Sequence, residues 1–252
     1  MEPQPAKLIP VGESTFARHL RAAGPILVLF EAARCDASRA LREGVGRIAA
    51  QFAGQATVLR VNVERSPLLA EQYGVTATPT ILALVDGEEL TRMIGFAPDS
   101  LVHLLFAQVI AGDLPAGRLW CPVEQAYEDA VIIPLLDAWG WSYGRQVACP
   151  RRPNGQAGRG RVDILVYADD PSTPLTLFEN KRQIGSRGAL QQAVAQARGY
   201  AEAFQIASFV VAAPLGMWVY RLESERAGLV RSFSSLEVAT RPEAMKRTLR
   251  WT

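Results

Sequence analysis

The chain has 252 residues, 49% of them hydrophobic and 21% charged, with a formal net charge of +2. This balance excludes a disordered chain, and the length accommodates one large domain or two ordinary ones. No apolar run approaches the ~20 residues that cross a bilayer, and residues 1–10 lack the basic-then-apolar pattern of a secretory signal, so the expectation is a cytoplasmic protein in a reducing compartment with no membrane partner.

Residues 11–23 read as a short amphipathic helix, and the continuous apolar run at 25–32 (PILVLFEA) as a buried central strand. A helical period covers 37–52, with Leu41, Val45, Ile48, Ala49 and Phe52 on one side. A strand at 56–63 and a short helix at 66–73 follow, the latter with Ser66 at its N-cap. Strands at 80–85 and 88–94 flank Asp86-Gly87, a strong hairpin signal, and a helix at 100–111 closes the half. The turn-rich GDLPAG stretch at 112–117 marks a boundary, giving a domain over 1–112, a linker over 113–119 and a second domain over 120–252.

The second half opens with a helix at 123–139, with Pro134 inside it as a kink. Residues 144–160, rich in Gly, Pro and Arg, read as a loop. Strands follow at 161–168 and 175–181, joined by the turn 169–172, then a long helix at 187–204 and two strands, 208–213 and 217–222, that finish the sheet. Residues 1–112 carry ten basic and eleven acidic residues, net −1, and the remainder 17 and 14, net +3. Lys7, Lys181 and Lys246 are the only lysines. The cysteines, Cys35, Cys121 and Cys149, are scattered and odd in number, matching neither a metal knuckle nor a disulfide framework.

Phosphodiester hydrolysis at neutral pH needs a divalent metal held by carboxylates, an activated water and neutralisation of developing charge. Mg2+ keeps several waters, so two or three protein ligands suffice. Asp163 on one strand and Glu179 with Lys181 on the next supply these groups. Side chains alternate along a strand, so Glu179 and Lys181 share a face, and pairing through the intervening turn can bring Asp163 close. The arginines Arg145, Arg151, Arg152, Arg159 and Arg161, with no acid between the first and last, suit phosphate contacts beside such a site.

The stretch from about 123 to 222 resembles the PD-(D/E)xK nuclease family, and most of all the nuclease domain of the restriction subunit of type I restriction enzymes. The resemblance rests on an ordered series: a Glu-bearing helix ending in Leu135-Leu136-Asp137-Ala138-Trp139-Gly140-Trp141, then Gly160-Arg161-Val162-Asp163, Phe178-Glu179-Asn180-Lys181, Gln196-Ala197-Arg198-Gly199-Tyr200 and Gly216-Met217-Trp218-Val219-Tyr220. It implies metal ligation (Mg2+ or Mn2+) by Asp163, Glu179 and the carbonyl of Asn180, and a catalytic role for Lys181. Gln196 and Tyr200 are placed near the site, touching substrate or Lys181. A Glu on the first helix would assist. Glu124 and Glu128 lie one turn apart on one face, and sequence does not choose between them, although the distance to Pro134 favours Glu124.

The first half resembles thioredoxin. Phe30-Glu31-Ala32-Ala33-Arg34-Cys35-Asp36-Ala37-Ser38 stands where that family carries its aromatic residue and C-x-x-C, Thr78-Pro79-Thr80 matches its cis-proline region, and Asp86-Gly87 and Gly95 match its terminal hairpin. Ser38 replaces the second cysteine, Leu29 the buried acid and Arg34 the tryptophan, so a dithiol cannot close. Cys35 at a helix N-terminus, with Arg34 and Arg39 nearby, is expected to have a lowered thiol pKa.

The expected architecture is therefore α/β in two domains, a thioredoxin-like three-layer domain followed by a restriction-endonuclease-like one. The expected function is an Mg2+-dependent endonuclease acting on nucleic acid, DNA more than RNA, with the first domain serving docking, homodimerisation or regulation. The alternative is a monothiol redox or partner-binding protein whose second domain binds nucleic acid without cutting.

Overall fold

The structure, a computed structural model, describes residues 8–22, 24–114, 118–150, 160–167, 170, 172–223 and 226–251. The chain divides into two compact α/β units, Met1–Cys121 and Pro122–Thr252.

In the first unit, β1 (Ile9–Val11), α1 (Glu13–His19), β2 (Ile26–Glu31), α2 (Asp36–Gln51), β3 (Thr57–Asn62), α3 (Pro67–Gln72), β4 (Thr80–Val85), β5 (Glu88–Ile94) and α4 (Asp99–Ala111) follow in order. The sheet runs β1-β3-β2-β4-β5, with β1, β3 and β2 parallel, β4 antiparallel to β2 and β5 antiparallel to β4. Every residue of β2 is buried, as its unbroken apolar run requires of a strand covered on both faces. Val28 and Phe30 pack with Phe16, Leu59, Val61 and Leu82 in one core cluster. Asp86 and Gly87 both have positive φ (51° and 82°), the conformation a tight hairpin turn needs.

Residues 115–117 of the expected linker lie outside the described residues. Residues 118–120 run beside β5: Arg92 N–H donates to Arg118 O and Trp120 N–H to Arg92 O, each at 2.7 Å. The buried Trp120 indole donates to Gln108 Oε1 on α4 at 2.9 Å. The chain thus covers part of a sheet edge that would otherwise present unpaired backbone groups.

The second unit starts with α5 (Glu124–Tyr127), a π-helical turn (Glu128–Ile132) and α6 (Ile133–Trp139). Pro134 lacks the N–H that would continue the α-helical ladder, and the chain answers with one wider turn in which Ile133 N–H reaches back to Glu128 O. The expected kink is therefore a π-turn just ahead of the proline. β6 (Ser142–Ala148), β7 (Arg161–Tyr167), β8 (Thr176–Asn180), α7 (Arg187–Phe204), β9 (Ser208–Ala213), β10 (Gly216–Glu223), β11 (Arg226–Ser234), α8 (Ser235–Thr240) and α9 (Pro242–Arg250) follow. The sheet order is β11-β10-β9-β8-β7-β6, with β8 and β9 parallel and the other neighbours antiparallel.

Two expectations are corrected. The loop placed at 144–160 begins as the edge strand β6, whose mixed, largely exposed side chains carry no strand period. The sheet does not end at residue 222, because β11 adds a second edge and α8 and α9 follow it. β8 and β9, at the centre, are buried throughout. Their core face meets the alanine stripe of α7, Ala193, Ala197 and Ala201, whose small side chains let the helix approach closely.

Candidate functional site

In the second unit, β7 and β8 pair through Ile164↔Phe178, Leu165↔Leu177 and Val166↔Thr176. One step further along this antiparallel register, Asp163 falls opposite Glu179, and there the backbone ladder stops. The Asp163 side chain continues it, its Oδ2 accepting the Asn180 N–H at 2.7 Å. β8 meanwhile stays with β9, and Lys181 N–H donates to Ala212 O at 2.8 Å. Two acids thus meet where the strands part, on the face that alternation also assigns to Lys181.

Glu179 is 1% exposed, and its Oε1 accepts from the Lys181 ammonium. Lys181 also donates to Gln196 Oε1 at 3.3 Å, and Gln196 Nε2 donates to Tyr200 Oη at 3.2 Å. Gln196 and Tyr200 are four apart on α7, so one helix flank presents both. The phenol lies close to Gly160 (φ 99°), where a Cβ would stand 2.7 Å from Tyr200 Oη.

Both glutamates of the first helix reach the end of β8, bonding to the residues on either side of Lys181. Glu124 Oε1 accepts the Arg182 N–H at 3.2 Å. Glu128, 3% exposed, accepts from Asn180 Nδ2 at 3.0 Å and from Arg145 at 2.9 Å. The two therefore differ in kind: Glu124 lies exposed at the rim, and Glu128 is buried as the anchor of Asn180.

The electrostatics follow from burial. Burial, with the Asp163 and Glu124 charges adding to it, pushes the Glu179 carboxyl up to about 7 against the pull of Lys181. Burial also raises Asp163, opposed by the Asn180 N–H, Lys181 and Gln146. Burial works to lower Lys181, but Glu179, Glu124 and Asp163 more than reverse this and hold it as a cation. Among the described residues, Glu179 Oε2 and Asn180 Oδ1 are buried without a hydrogen-bond partner. Among the described residues, no group of three or more His, Cys, Asp or Glu side chains is placed to hold a metal ion.

The arginine series divides. Arg145, expected to face phosphate, is directed inward to Glu128 and to Asp129 Oδ1 at 2.7 Å. Arg161 is exposed at the start of β7. Arg151, Arg152 and Arg159 lie outside the described residues. One site residue has no mark in the sequence. Gln146 on β6 donates from Nε2 to Asp163 Oδ1 at 3.2 Å. The only signal of it is a backbone conformation that residue identities do not show.

In the first unit, Cys35 is the N-cap of α2, and its Sγ accepts the Ser38 N–H at 3.4 Å. Sγ also lies 3.8 Å from the Thr78 carbonyl oxygen, beside the cis Thr78–Pro79 bond. Ser38 is buried and its Oγ accepts the Ala32 N–H at 3.2 Å. Burial pushes the Cys35 thiol up, but hydrogen bonds from the Ser38 side chain and N–H, from the Ala37 N–H and from the Thr78 side chain together bring it below the usual thiol value. The expected pull of Arg34 and Arg39 has no part in this, and Arg39 is paired with Asp36. Glu31, buried next to this turn, pairs with Arg42 and Arg60. No disulfide joins Cys35, Cys121 or Cys149.

The thioredoxin family model matches residues 7–107. Thioredoxin 1 of Synechococcus elongatus is 34% identical over 89 residues, covering 35% of this chain and 83% of that protein. The thioredoxin of Chlamydia muridarum is 35% identical over 96 residues, covering 38% of this chain and 92% of that protein. A solved mutant thioredoxin from Halobacterium salinarum matches at 24% identity and a TM-score of 0.40, over 42% of this chain and 94% of that one. Through its first unit, with serine in the place of the second cysteine, the chain belongs to the thioredoxin family.

Proposed function

We propose that the second unit is a PD-(D/E)xK-type nuclease that hydrolyses phosphodiesters of nucleic acid, DNA more than RNA, with a bound divalent cation. The observation that carries this is the junction of Asp163 and Glu179 at the parting of β7 and β8, with Lys181 ion-paired to Glu179. Asp163 and Glu179 would hold Mg2+ or Mn2+. The donor set fits. Both are oxygen donors, Glu179 Oε2 is buried without a hydrogen-bond partner among the described residues, and a cation that retains water needs few protein ligands. Bound there, the cation would supply Lewis-acid stabilisation of a phosphoryl oxygen and a more acidic water.

The remaining work falls to the chain's own groups. Lys181 is held as a cation beside Glu179 and can neutralise charge developing on a phosphate. Gln196 fixes the direction of the Lys181 ammonium, and Tyr200 fixes Gln196. Glu124, exposed at the rim, is the acid placed to reach a water or a cation. Glu128 acts through Asn180.

The test is cleavage of labelled single- and double-stranded DNA and RNA by the purified full chain with Mg2+ or Mn2+. Cleavage by the wild type and its loss in Lys181→Ala is the expected result. Undiminished cleavage in that variant overturns the assignment.

One observation supports a role for the first unit beyond docking, dimerisation or regulation of the second. Cys35 has a lowered pKa and no cysteine at position 38. Its thiolate can attack a partner's disulfide, forming a Cys35–partner S–S bond as the partner's other sulfur leaves as thiolate. Without a thiol at position 38 to resolve it, that mixed disulfide persists. Partners captured equally by wild type and Cys35→Ser exclude covalent trapping.

A further inference from the structure

We infer that Gln146 is a positioning residue for Asp163, holding its carboxylate in the orientation that receives a divalent cation; the inference rests on the nuclease reading above. β6 and β7 pair at Arg145↔Ile164 and at Val147↔Val162 with no change of register. Gln146 and Asp163 therefore stand opposite one another, and theirs is the one step missing inside the ladder. At that step the backbone of Gln146 turns into the left-handed region, φ +51°, where residues with a Cβ are uncommon and strained. The strand resumes beyond it, so the distortion is confined to a single residue. Gly144, two residues earlier, leaves room for the Val147 side chain, since a Cβ there would stand 2.8 Å from Val147 Cγ2.

The result of the distortion is a hydrogen bond. Gln146 Nε2 meets Asp163 Oδ1 at 3.2 Å while the Asn180 N–H meets Oδ2 at 2.7 Å. A carboxylate is an acceptor only, so the amide must present its NH2 side. One donor comes from each flanking strand, and together they set the plane of the carboxylate. Each oxygen has accepted one hydrogen bond and retains a lone-pair direction for a cation. Strain of this kind persists only where the surroundings over-determine it, as the ladder on both sides does here. A ligand fixed in advance loses no rotamer freedom when the cation arrives.

Direct Mn2+ binding to the full chain, followed by electron paramagnetic resonance, tests this in wild type, Gln146→Gly and Gln146→Asn. Glycine accepts the positive φ and lacks the amide, so the metal-free melting temperature should not fall, while Mn2+ affinity drops about 10-fold. Cleavage should recover toward the wild-type kcat at saturating Mn2+, with KM for nucleic acid unchanged. Asparagine tolerates the same φ and carries a shorter amide, and it should restore part of the affinity. Equal Mn2+ affinity in wild type and Gln146→Gly overturns the inference and leaves the nuclease reading standing. A wild type that binds no Mn2+ at millimolar concentration overturns the nuclease reading and the inference with it.

Discussion

Asp163 takes over from the backbone of its own strand as the hydrogen-bond acceptor of Asn180, at 2.7 Å, where β7 and β8 separate. A ladder that simply continued would satisfy Asn180 with a carbonyl and leave no space between the strands. By ending the ladder with a carboxylate, the fold gathers Asp163, Glu179 and Lys181 at one place and leaves Glu179 Oε2 without a hydrogen-bond partner among the described residues.

Lys181 is the group whose removal should matter most to cleavage. We expect Lys181→Ala to lower the cleavage rate by at least about 100-fold, the scale of losing a positioned charge or proton-transfer group. The fold should persist, since Glu179 already has a pKa of about 7 and can take up a proton when its partner is lost. Single-turnover cleavage assays and circular dichroism on the same variant separate the two effects.

Arg145 offers a sign test between a phosphate contact and a structural ion pair. Its guanidinium holds the buried Glu128 and the exposed Asp129. Arg145→Ala should therefore destabilise the protein by about 1–3 kcal/mol, the cost of leaving a buried carboxylate with one partner fewer. The arginine side chain is 35% exposed, and solvent screening of the pair limits the loss. Nucleic-acid affinity should change little. Chemical denaturation and a binding titration check both halves, and unaltered stability with weakened binding would return Arg145 to the role of phosphate contact.

Gly160→Ala should disturb the Lys181–Gln196–Tyr200 chain from a distance. The substitution introduces a Cβ 2.7 Å from Tyr200 Oη at a residue with φ 99°, a conformation that costs a residue with a Cβ roughly 1–2 kcal/mol. We expect a lower melting temperature and, because Gln196 loses its fixed partner, a reduced cleavage rate. Thermal unfolding in parallel with activity checks this, and a variant equal to wild type in both would show that Tyr200 does not orient Gln196.

Cys35 should react as a thiolate at lower pH than an ordinary thiol. Its pKa is lowered, so the ionised fraction, and with it the alkylation rate, rises toward its plateau earlier on the pH axis than the usual midpoint of ~8.5. Ser38→Ala removes one of the hydrogen bonds that lower the pKa, and the midpoint should move upward. Rates of iodoacetamide labelling across roughly pH 5–10, a range that includes the ~8.5 of an ordinary thiol, measure both. A midpoint in Ser38→Ala identical to wild type would show that the hydroxyl has no part in it.

Patterns that repeat along the chain are legible in the residues themselves. The apolar run of β2, the period of α2 and α7 and the Asp86-Gly87 turn all express local chemistry, because burial on two faces, a 3.6-residue repeat and a positive φ each demand particular residues at particular places. The alternation of β8 likewise puts Glu179 and Lys181 on one face. β6 and β11, edge strands with many exposed side chains, carry no such period, and nothing in their residues marks them as strands.

The partners of the polar groups come from the fold. Glu124 and Glu128 are equivalent in spacing. A π-turn ahead of Pro134 and the packing against β8 make one a rim acid and the other a buried anchor for Asn180. Arg145 is, along the chain, one of five similar arginines, but its place in β6 turns it toward Glu128. Gln146 has no sequence signal at all, since its role depends on a backbone angle and on the strand opposite. Most strands and helices, and the family of the first unit, are thus set by residues that are neighbours in the chain. Which carboxylate meets which donor is set by three-dimensional pairing, because a hydrogen bond depends on distances that residue spacing does not encode.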